Sequence, residues 1–271
     1  MLWLLLASIG PWPLAHSAPA AQRDSPAAGV TLVGLTTDNT LVVFDAGRPS
    51  EVRTVKVGRV GGTLLGIDLR PADGRLYGLS TANNLYVLDP VTGAATLVST
   101  LTVPFDGGVR SGVDFNPQAD RLRLVGSNGQ NLRVHPELGA SATDGALAYA
   151  RGDRHFGRKP AVTACAYTSS VARAPSTKTF DIDSALDVLV LQEPPNDGLL
   201  KTVGPLGVDF DGASGFDILT DAAGRDHGFA ASRSTLYRID LATGAASPLG
   251  TIGSGRSPLI GLAVALRPGS N

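Results

Sequence analysis

The feature that most constrains the fold of this chain is a supersecondary unit that recurs along it. DPVTG at residues 89–93 returns as DLATG at residues 240–244. Glycine, an apolar residue and aspartate open three strand-like segments, and the first two segments are 46 residues apart, within the range expected of propeller blades. These tripeptides are Gly66-Ile67-Asp68, Gly112-Val113-Asp114 and Gly215-Phe216-Asp217. The repeat predicts a chain built from one unit used several times.

Each unit has the pattern of an antiparallel meander of short strands. Runs rich in Val, Leu and Ile alternate with turn residues, as at residues 71–74 and 81–84 of the fullest unit. The composition agrees, because 33 glycines and 18 prolines punctuate the chain while its single methionine and few long Ala, Glu or Lys windows leave little for helices. The predicted class is all-β.

The two ends of the repeat predict how the ring closes. Residues 261–266 resemble another opening strand, and the first unit, residues 30–57, lacks one. If the last strand completes the first blade, no sheet edge is left free. We therefore predict a single five-bladed β-propeller, with four strands per blade, over residues 30–267. A sixth blade within residues 150–201 and a sandwich of unrelated hairpins are the alternatives.

The N-terminal residues have the pattern of an export signal. Residues 1–21 combine an apolar run at positions 2–7 with small residues at 15–20, which is typical of a signal peptide and too short to span a membrane. Residues 22–29 are predicted to be a flexible leader and residues 268–271 a tail. Cys165 is the only cysteine, so no disulfide is expected. A bacterial periplasmic or secreted protein without a transmembrane span fits these features.

The charge narrows the range of partners. A formal net charge of −1 and a pI near 6.4 show no basic footprint for nucleic acid or for an anionic membrane surface. An unidentified small molecule or a protein is the expected partner.

Several runs resemble a bacterial family known as DUF4394, a domain of unknown function. They are GVDFNP at residues 112–117, DRLR at 120–123, GQNLR at 129–133 and QEPPNDG at 192–198, and the likeness extends to Ala166-Tyr167 and over nearly all of the chain after the leader. The resemblance implies a propeller-like exported domain. It brings no established activity, so no catalytic residue is carried over from it.

The repeated acids Asp68, Asp114 and Asp217 are the first candidate site. In a propeller the first strand of each blade lines the central channel, so these carboxylates are expected to converge there. Glycosidases on five-bladed propellers use such carboxylates as acid and base, and like charges held close raise a pKa. The other interpretation is architectural, with each aspartate capping a turn or bonding the backbone of the neighbouring blade.

A polar patch in the third unit is the second candidate, as a ligand-binding site. Arg121 and Arg123 leave the same face of one strand, and Asn131 and Arg133 leave the same face of the next, with Asn128 in the turn between them. Such a patch suits a carboxylate, phosphate or sugar through forked hydrogen bonds. Alternatively, the arginine stems cover apolar surface between blades and pair with nearby acids.

Calcium is the one cofactor that the sequence suggests, through two groups of aspartates that supply hard oxygen ligands. Turn formation is the alternative role for these residues. The groups are Asp181, Asp183 and Asp187, and Asp209 and Asp211 with Asp217. Together these features predict an exported binding or scaffold module with its contacts near the channel mouth. The alternative is a lactonase- or glycosidase-like hydrolase that uses the channel aspartates.

Overall fold

Five antiparallel sheets form the blades of a propeller in the computed structural model, which describes residues 27, 29–210 and 212–265. Blade 1 contains β1 (Thr31–Thr36), β2 (Thr40–Asp45) and β3 (Arg48–Lys56). Blade 2 contains β4 (Leu64–Arg70), β5 (Arg75–Ser80), β6 (Asn84–Leu88) and β7 (Ala95–Thr100). Blade 3 contains β8 (Ser111–Asn116), β9 (Arg121–Gly126), β10 (Asn131–Val134) and β11 (Ser141–Thr143).

The second half of the chain forms two more blades and closes the ring. Blade 4 contains β12 (Ala148–Tyr149), β13 (Val162–Tyr167), β14 (Thr179–Asp183), β15 (Val188–Gln192) and β16 (Leu199–Pro205), with a 3-10 turn at Pro195–Asp197. Blade 5 contains β17 (Ser214–Thr220), β18 (Asp226–Ser232), β19 (Thr235–Ile239) and β20 (Ala246–Thr251). The last strand, β21 (Leu259–Ala265), pairs antiparallel with β1 as the inner strand of blade 1.

The five-bladed ring and its closure by the last strand are thus confirmed, and residues 150–201 contribute one blade. Blade 4 adds to the prediction a fifth, two-residue strand, β12, which pairs in parallel with β16 at the outer edge. The predicted signal peptide, the tail and nearly all of the leader lie outside the described residues. No helix in the described part of the chain is long and apolar enough to cross a membrane.

Glycine opens the inner strands because these strands approach one another too closely for a side chain. A Cβ on Gly112 would lie 2.5 Å from the backbone nitrogen of Cys165 in the next blade, and one on Gly215 would lie 2.5 Å from the carbonyl carbon of Gly261. Backbone atoms cannot swing aside as a side chain can. The glycine of the repeated tripeptide therefore has a packing role, which leaves the aspartate two residues later at a fixed depth in the channel.

The core consists of layers between neighbouring blades. Four of these layers are formed mainly by aliphatic and aromatic side chains, such as Tyr77 and Phe115 between blades 2 and 3, whose ring centroids are 5.2 Å apart. The layer between blades 3 and 4 has a smaller apolar cluster, around Val125, Tyr149 and Cys165. The rest of that layer is polar, and it contains one of the two candidate sites described next.

Candidate functional site

The central channel brings together the three repeated aspartates. Asp68 on β4, Asp114 on β8 and Asp217 on β17 are only 4%, 3% and 6% exposed. One carboxylate oxygen from each lies within 4.8 Å of the others. Blades 4 and 1 carry alanine at the equivalent positions, Ala166 and Ala263. The convergence predicted from the repeat is therefore present in the structure.

Each aspartate bonds the backbone of the next blade around the ring. Asp68 Oδ2 accepts the N–H of Phe115 at 2.7 Å, and Asp114 Oδ1 accepts that of Tyr167 at 3.1 Å. Asp217 Oδ2 accepts the N–H of Val264 at 2.5 Å. Each donor lies one residue beyond the aspartate-equivalent position of its own blade. These contacts tie blade 2 to blade 3, blade 3 to blade 4, and blade 5 to the closing strand.

The two alanines explain the remaining carboxylate contacts. Ala166 and Ala263 offer no acceptor to the blades that follow them, so the N–H groups of Ile218 and Leu69 need another partner. Asp217 Oδ1 accepts the N–H of Ile218 at 2.6 Å, and Asp68 Oδ1 accepts the N–H of Leu69 at 2.7 Å. Three carboxylates thus satisfy all five inner N–H groups, as buried backbone donors require. Among the described residues, no donor bonds the remaining oxygen, Oδ2 of Asp114.

Burial and mutual repulsion act on the protonation of these acids. Burial raises the pKa of Asp68 and of Asp114 well above the usual range, and the neighbouring aspartate charges raise both further. Burial raises the pKa of Asp217 to about 7, against the opposing effect of its two N–H donors. At neutral pH the cluster therefore favours protons, or a cation, over three bare charges.

The space beside the carboxylates limits what they can hold. The cavity that they line has a volume of 20 Å³, enough for a water molecule or a single ion. Calcium lies about 2.3–2.6 Å from its oxygen ligands, so oxygens within 4.8 Å of one another can all contact one Ca²⁺. A sugar or lactone does not fit in this volume.

Stability is expected to fall as the pH rises from about 4 to about 7. A folded-state pKa of about 7 for Asp217 exceeds the value of about 3.9 in an unfolded chain. The folded state therefore binds more protons between these values, and its advantage is lost through that window. Asp114→Asn removes one repelling charge but keeps an acceptor for the Tyr167 N–H, so its decline should be shallower. Urea unfolding at several pH values in EDTA measures how the free energy of unfolding depends on pH in the wild type and in Asp114→Asn. Equal dependence in the two proteins would contradict the expectation.

The second candidate site is a pocket between blades 3 and 4 that contains three arginines. Arg123 lies opposite Arg133 in the β9–β10 ladder, and Arg121 lies opposite Asn116 in the β8–β9 ladder. Directly opposed residues share a face of a sheet. The pocket has a volume of 340 Å³, and its lining is Asn116, Gln118, Ala119, Arg121, Arg123, Arg133, Tyr167, Thr177, Pro195 and Asn196.

Arg123 is the structural centre of this pocket and is only 2% exposed. Its Nη1 donates to Asp144 at 2.5 Å and to Asn131 at 2.7 Å, and its Nη2 donates to Asn196 at 2.7 Å. Its Nε donates to the hydroxyl of Tyr167 at 3.1 Å. All three side-chain nitrogens are therefore bonded, and four of the five N–H groups donate within the protein, so Arg123 mainly orders the pocket wall and has one N–H of Nη2 left.

The other two arginines retain free donors. Arg133 uses Nε to bond Asp144, at 2.8 and 3.0 Å, and its side chain is 41% exposed. Arg121 donates through Nη1 to two backbone carbonyls, those of Ala119 and Asp120. No acidic side chain is in the pocket lining, and Asp144 beside it offsets only part of three positive charges. The pocket is therefore electropositive.

The remaining predicted ligand-binding residues lie in different places. Asn131 is buried outside the pocket lining, where it accepts from Arg123 and donates to the carbonyls of Gly145 and Pro195. Asn128 lies at the far end of the β9–β10 hairpin, where it bonds Gln130. The structure thus brings Arg121, Arg123, Asn131 and Arg133 together and leaves Asn128 apart from them.

The residues predicted to bind calcium are not gathered into one group. Asp183 bonds Tyr149 and the turn at Ala185, Asp187 accepts the N–H of Phe210, and Asp209 pairs with Arg233. Asp211 lies outside the described residues. Within the described ranges, the channel aspartates form the only group of three or more such side chains with ligand atoms this close.

Asp181 is buried in the layer between blades 3 and 4 with neither carboxylate oxygen hydrogen-bonded to a described residue. Its pKa is raised to about 8, chiefly by burial and also by the charge of Asp183, against the opposing effect of Arg123. Thr179 Oγ1, on the same strand β14, and Gln192 Oε1, on the neighbouring strand β15, also lack partners among the described residues. Such groups are commonly satisfied by buried water.

Several pocket residues were not predicted from the sequence as part of a site. Asp144 reaches Arg123 from the segment after β11, Asn196 from the 3-10 turn, and Gln118 and Thr177 from loops. One signal was available, because Tyr167 and Asn196 belong to the runs that resemble DUF4394. The DUF4394-like sequence segments of blade 3 and those of blade 4 meet around Arg123.

Comparisons with known proteins give a family and a fold. The family described as "Domain of unknown function (DUF4394)" matches residues 40–263. A structural genomics protein of unknown function from Bacteroides thetaiotaomicron is 15% identical, with a TM-score of 0.52, and the match covers 86% of this chain and 65% of that one. This similarity supports the fold alone. No curated protein matches the chain.

Two further solved structures are more distant. An auxiliary nutrient binding protein from Bacteroides ovatus is 12% identical with a TM-score of 0.46, over 80% of this chain and 58% of that one. A catalytically inactive virginiamycin B lyase from Staphylococcus aureus, solved with quinupristin, is 10% identical with a TM-score of 0.43, over 83% of this chain and 71% of that one. The present chain spans little more than half of the Bacteroides ovatus protein.

Proposed function

Since the chain belongs to the DUF4394 family, whose description names no activity, we propose from its geometry that it is an exported binding module for a small anionic molecule. The observation that carries this proposal is the electropositive pocket between blades 3 and 4. Its volume of 340 Å³ lies within the range of ligand pockets. Its arginines suit a carboxylate, which accepts two parallel hydrogen bonds from one guanidinium.

The lining favours a ligand that is polar over most of its surface. Asn116, Gln118, Thr177 and Asn196 offer amide and hydroxyl groups around the arginines. Such groups bond sugar hydroxyls or further carboxylate oxygens. A sugar acid or a small polycarboxylate fits this combination of charge and hydrogen-bonding groups better than an apolar molecule or a cation.

The pocket lies beside the channel mouth. Tyr167 lines both the pocket and the small cavity of the channel aspartates. Its backbone N–H bonds Asp114 and its hydroxyl accepts from Arg123, so one residue connects both candidate sites. Rigid strands hold the arginines, as a binding module requires. Export is supported by the signal-like N-terminal residues.

The hydrolase alternative receives less support from the geometry. Five of the six oxygens of Asp68, Asp114 and Asp217 bond backbone N–H groups, and the adjoining cavity has a volume of only 20 Å³. A general acid or base must reach the atom that it protonates, and no described opening of substrate size adjoins these carboxylates. We therefore assign them an architectural role and place ligand binding in the arginine pocket.

Titration calorimetry with galacturonate, glucuronate, succinate and citrate tests the proposal, with galactose and glucose as uncharged counterparts. At least one of these anions should bind while the neutral sugars do not. Arg121→Ala should weaken that binding about ten- to a hundredfold, the value of a charge-assisted hydrogen bond. Arg121→Lys should recover only part of it, because an ammonium lacks the fork.

Arg158→Ala serves as the matched control, since it removes an exposed arginine from a loop outside the pocket. Equal affinity in the wild type and Arg121→Ala would place the ligand elsewhere. If none of the four anions binds, the proposed ligand class is wrong.

A further inference from the structure

A second cavity lies between blades 1 and 2, with a volume of 630 Å³. Its walls are mainly aliphatic, from blade 1 on one side and blade 2 on the other. They include Val33, Val43, Leu69, Leu76, Leu88 and Ala263. We call this cavity the blade 1–2 groove.

The groove exists because blade 1 carries small side chains where other blades carry large ones. Directly opposite the channel aspartates on the next strand lie Tyr77 in blade 2, Arg123 in blade 3 and Phe229 in blade 5. These three are at most 2% exposed and fill the gap to the following blade. In blade 1 the corresponding pair is Ala263 and Val33. These two small side chains are themselves buried, and the opening lies beyond them, where Val43, Leu69 and Val87 are half-buried.

The small side chains belong to a row that crosses blade 1 and ends in a cation. Ala263 lies opposite Val33, Val33 opposite Val43, and Val43 opposite Arg53. Strands are about 4.8 Å apart, so the row extends over about 14 Å. It changes from apolar near the channel to positively charged at the outer edge.

Arg53 is the charged group that is available to a ligand. It is exposed and donates no hydrogen bond to a described residue, although its charge acts on the nearby Asp89, whose pKa is lowered chiefly by the Val91 N–H and also by Arg53. Arg75, at the same rim, is committed to Asp73 at 2.8 Å and to the hydroxyl of Tyr77 at 3.1 Å. The acid of the rim, Asp89, accepts the N–H groups of its own turn, at Val91 and Thr92. Arg53 is therefore left with unused donors.

From these features we propose that the blade 1–2 groove binds an amphiphile with an apolar chain and an anionic head group. The chain lies along the small residues of blade 1 against the leucines of blade 2, and it buries apolar surface on both sides. The head group bonds the Arg53 guanidinium at the outer edge. This site is separate from the arginine pocket and does not depend on the proposed function.

Calorimetry with decanoate below its micelle concentration tests the proposal, with decyltrimethylammonium as the charge-reversed probe and acetate as the head group alone. Decanoate should bind one site per chain, and the other two should not bind measurably. Val43→Phe fills the groove from a half-buried position and should weaken decanoate binding at least about tenfold, the factor that 1.4 kcal/mol gives. Binding of galacturonate or the other anions should be unchanged in this variant.

Arg53→Ala removes the head-group contact from an exposed position, where no folding defect is expected. It should weaken decanoate binding about tenfold, as the loss of a charge-assisted hydrogen bond predicts. Arg48→Ala, on the same strand but outside the groove, should bind as the wild type does. Absence of saturable decanoate binding, or wild-type affinity in either Val43→Phe or Arg53→Ala, would overturn the proposal.

Discussion

Replacement of Arg123 by alanine is expected to lower the free energy of unfolding by about 3–5 kcal/mol, the range for breaking a buried ion pair, although Arg133 remains beside Asp144. Asp144 is 4% exposed at its side chain and bonds Arg123 at 2.5 Å. Without the guanidinium, Asn131, Asn196 and Tyr167 also lose their donor. Urea unfolding followed by circular dichroism measures the change.

Two comparisons separate the buried network from a simple loss of packing. Arg133→Ala removes the more exposed partner of the same carboxylate and should cost no more than about 1 kcal/mol. Arg123→Met combined with Asp144→Asn removes both charges and should cost less than the sum of the single changes. Stability of Arg123→Ala within 1 kcal/mol of the wild type would show that the network does not hold blades 3 and 4 together.

Replacement of Asp217 by alanine is expected to lower the free energy of unfolding by about 2–6 kcal/mol, since each buried donor left unpaired costs about 1–3 kcal/mol. The two donors are the N–H groups of Ile218 and Val264. Val264 belongs to β21, so this carboxylate holds blade 5 to the strand that closes the ring. The loss is a large fraction of the 5–15 kcal/mol that stabilises a typical domain.

The asparagine variants of the channel aspartates should differ from one another. An asparagine keeps one acceptor oxygen and replaces the other by a donor. Asp217→Asn and Asp68→Asn should therefore lose one of two N–H bonds, about 1–3 kcal/mol each. Asp114→Asn keeps the single N–H bond of Asp114 and should be tolerated. Loss of an enzymatic activity in Asp114→Asn with unchanged stability would instead favour the hydrolase alternative.

Much of the fold could be predicted from the sequence because it depends on local patterns that repeat. The repeated strand-and-turn units predict the number of blades, and the first unit, which lacks an opening strand, predicts that the last strand returns to it. Both predictions are confirmed, as is the resemblance to DUF4394. Convergence of Asp68, Asp114 and Asp217 followed from the same symmetry, because equivalent positions on inner strands share one depth in the channel.

The arginine site could be predicted only in part. Alternation along β9 places Arg121 and Arg123 on one face, and this local rule was enough to group them. It does not reveal that Arg123 uses four of its five N–H donors inside the protein while Arg133 bonds through Nε alone. Nor does it place Asn128, which lies close to the others in sequence but at the opposite end of the hairpin.

The blade, its repeat and the closure of the ring follow from the amino-acid sequence, since strand periodicity and turn residues act over a few positions. The sites follow from the three-dimensional packing, because they depend on which side chains meet across the gap between two blades. Asp144 and Asn196 reach Arg123 from segments 21 and 73 residues away, and no local pattern encodes that meeting. The blade 1–2 groove arises in the same way, from a small Val33 facing blade 2 where a large side chain would have closed the gap.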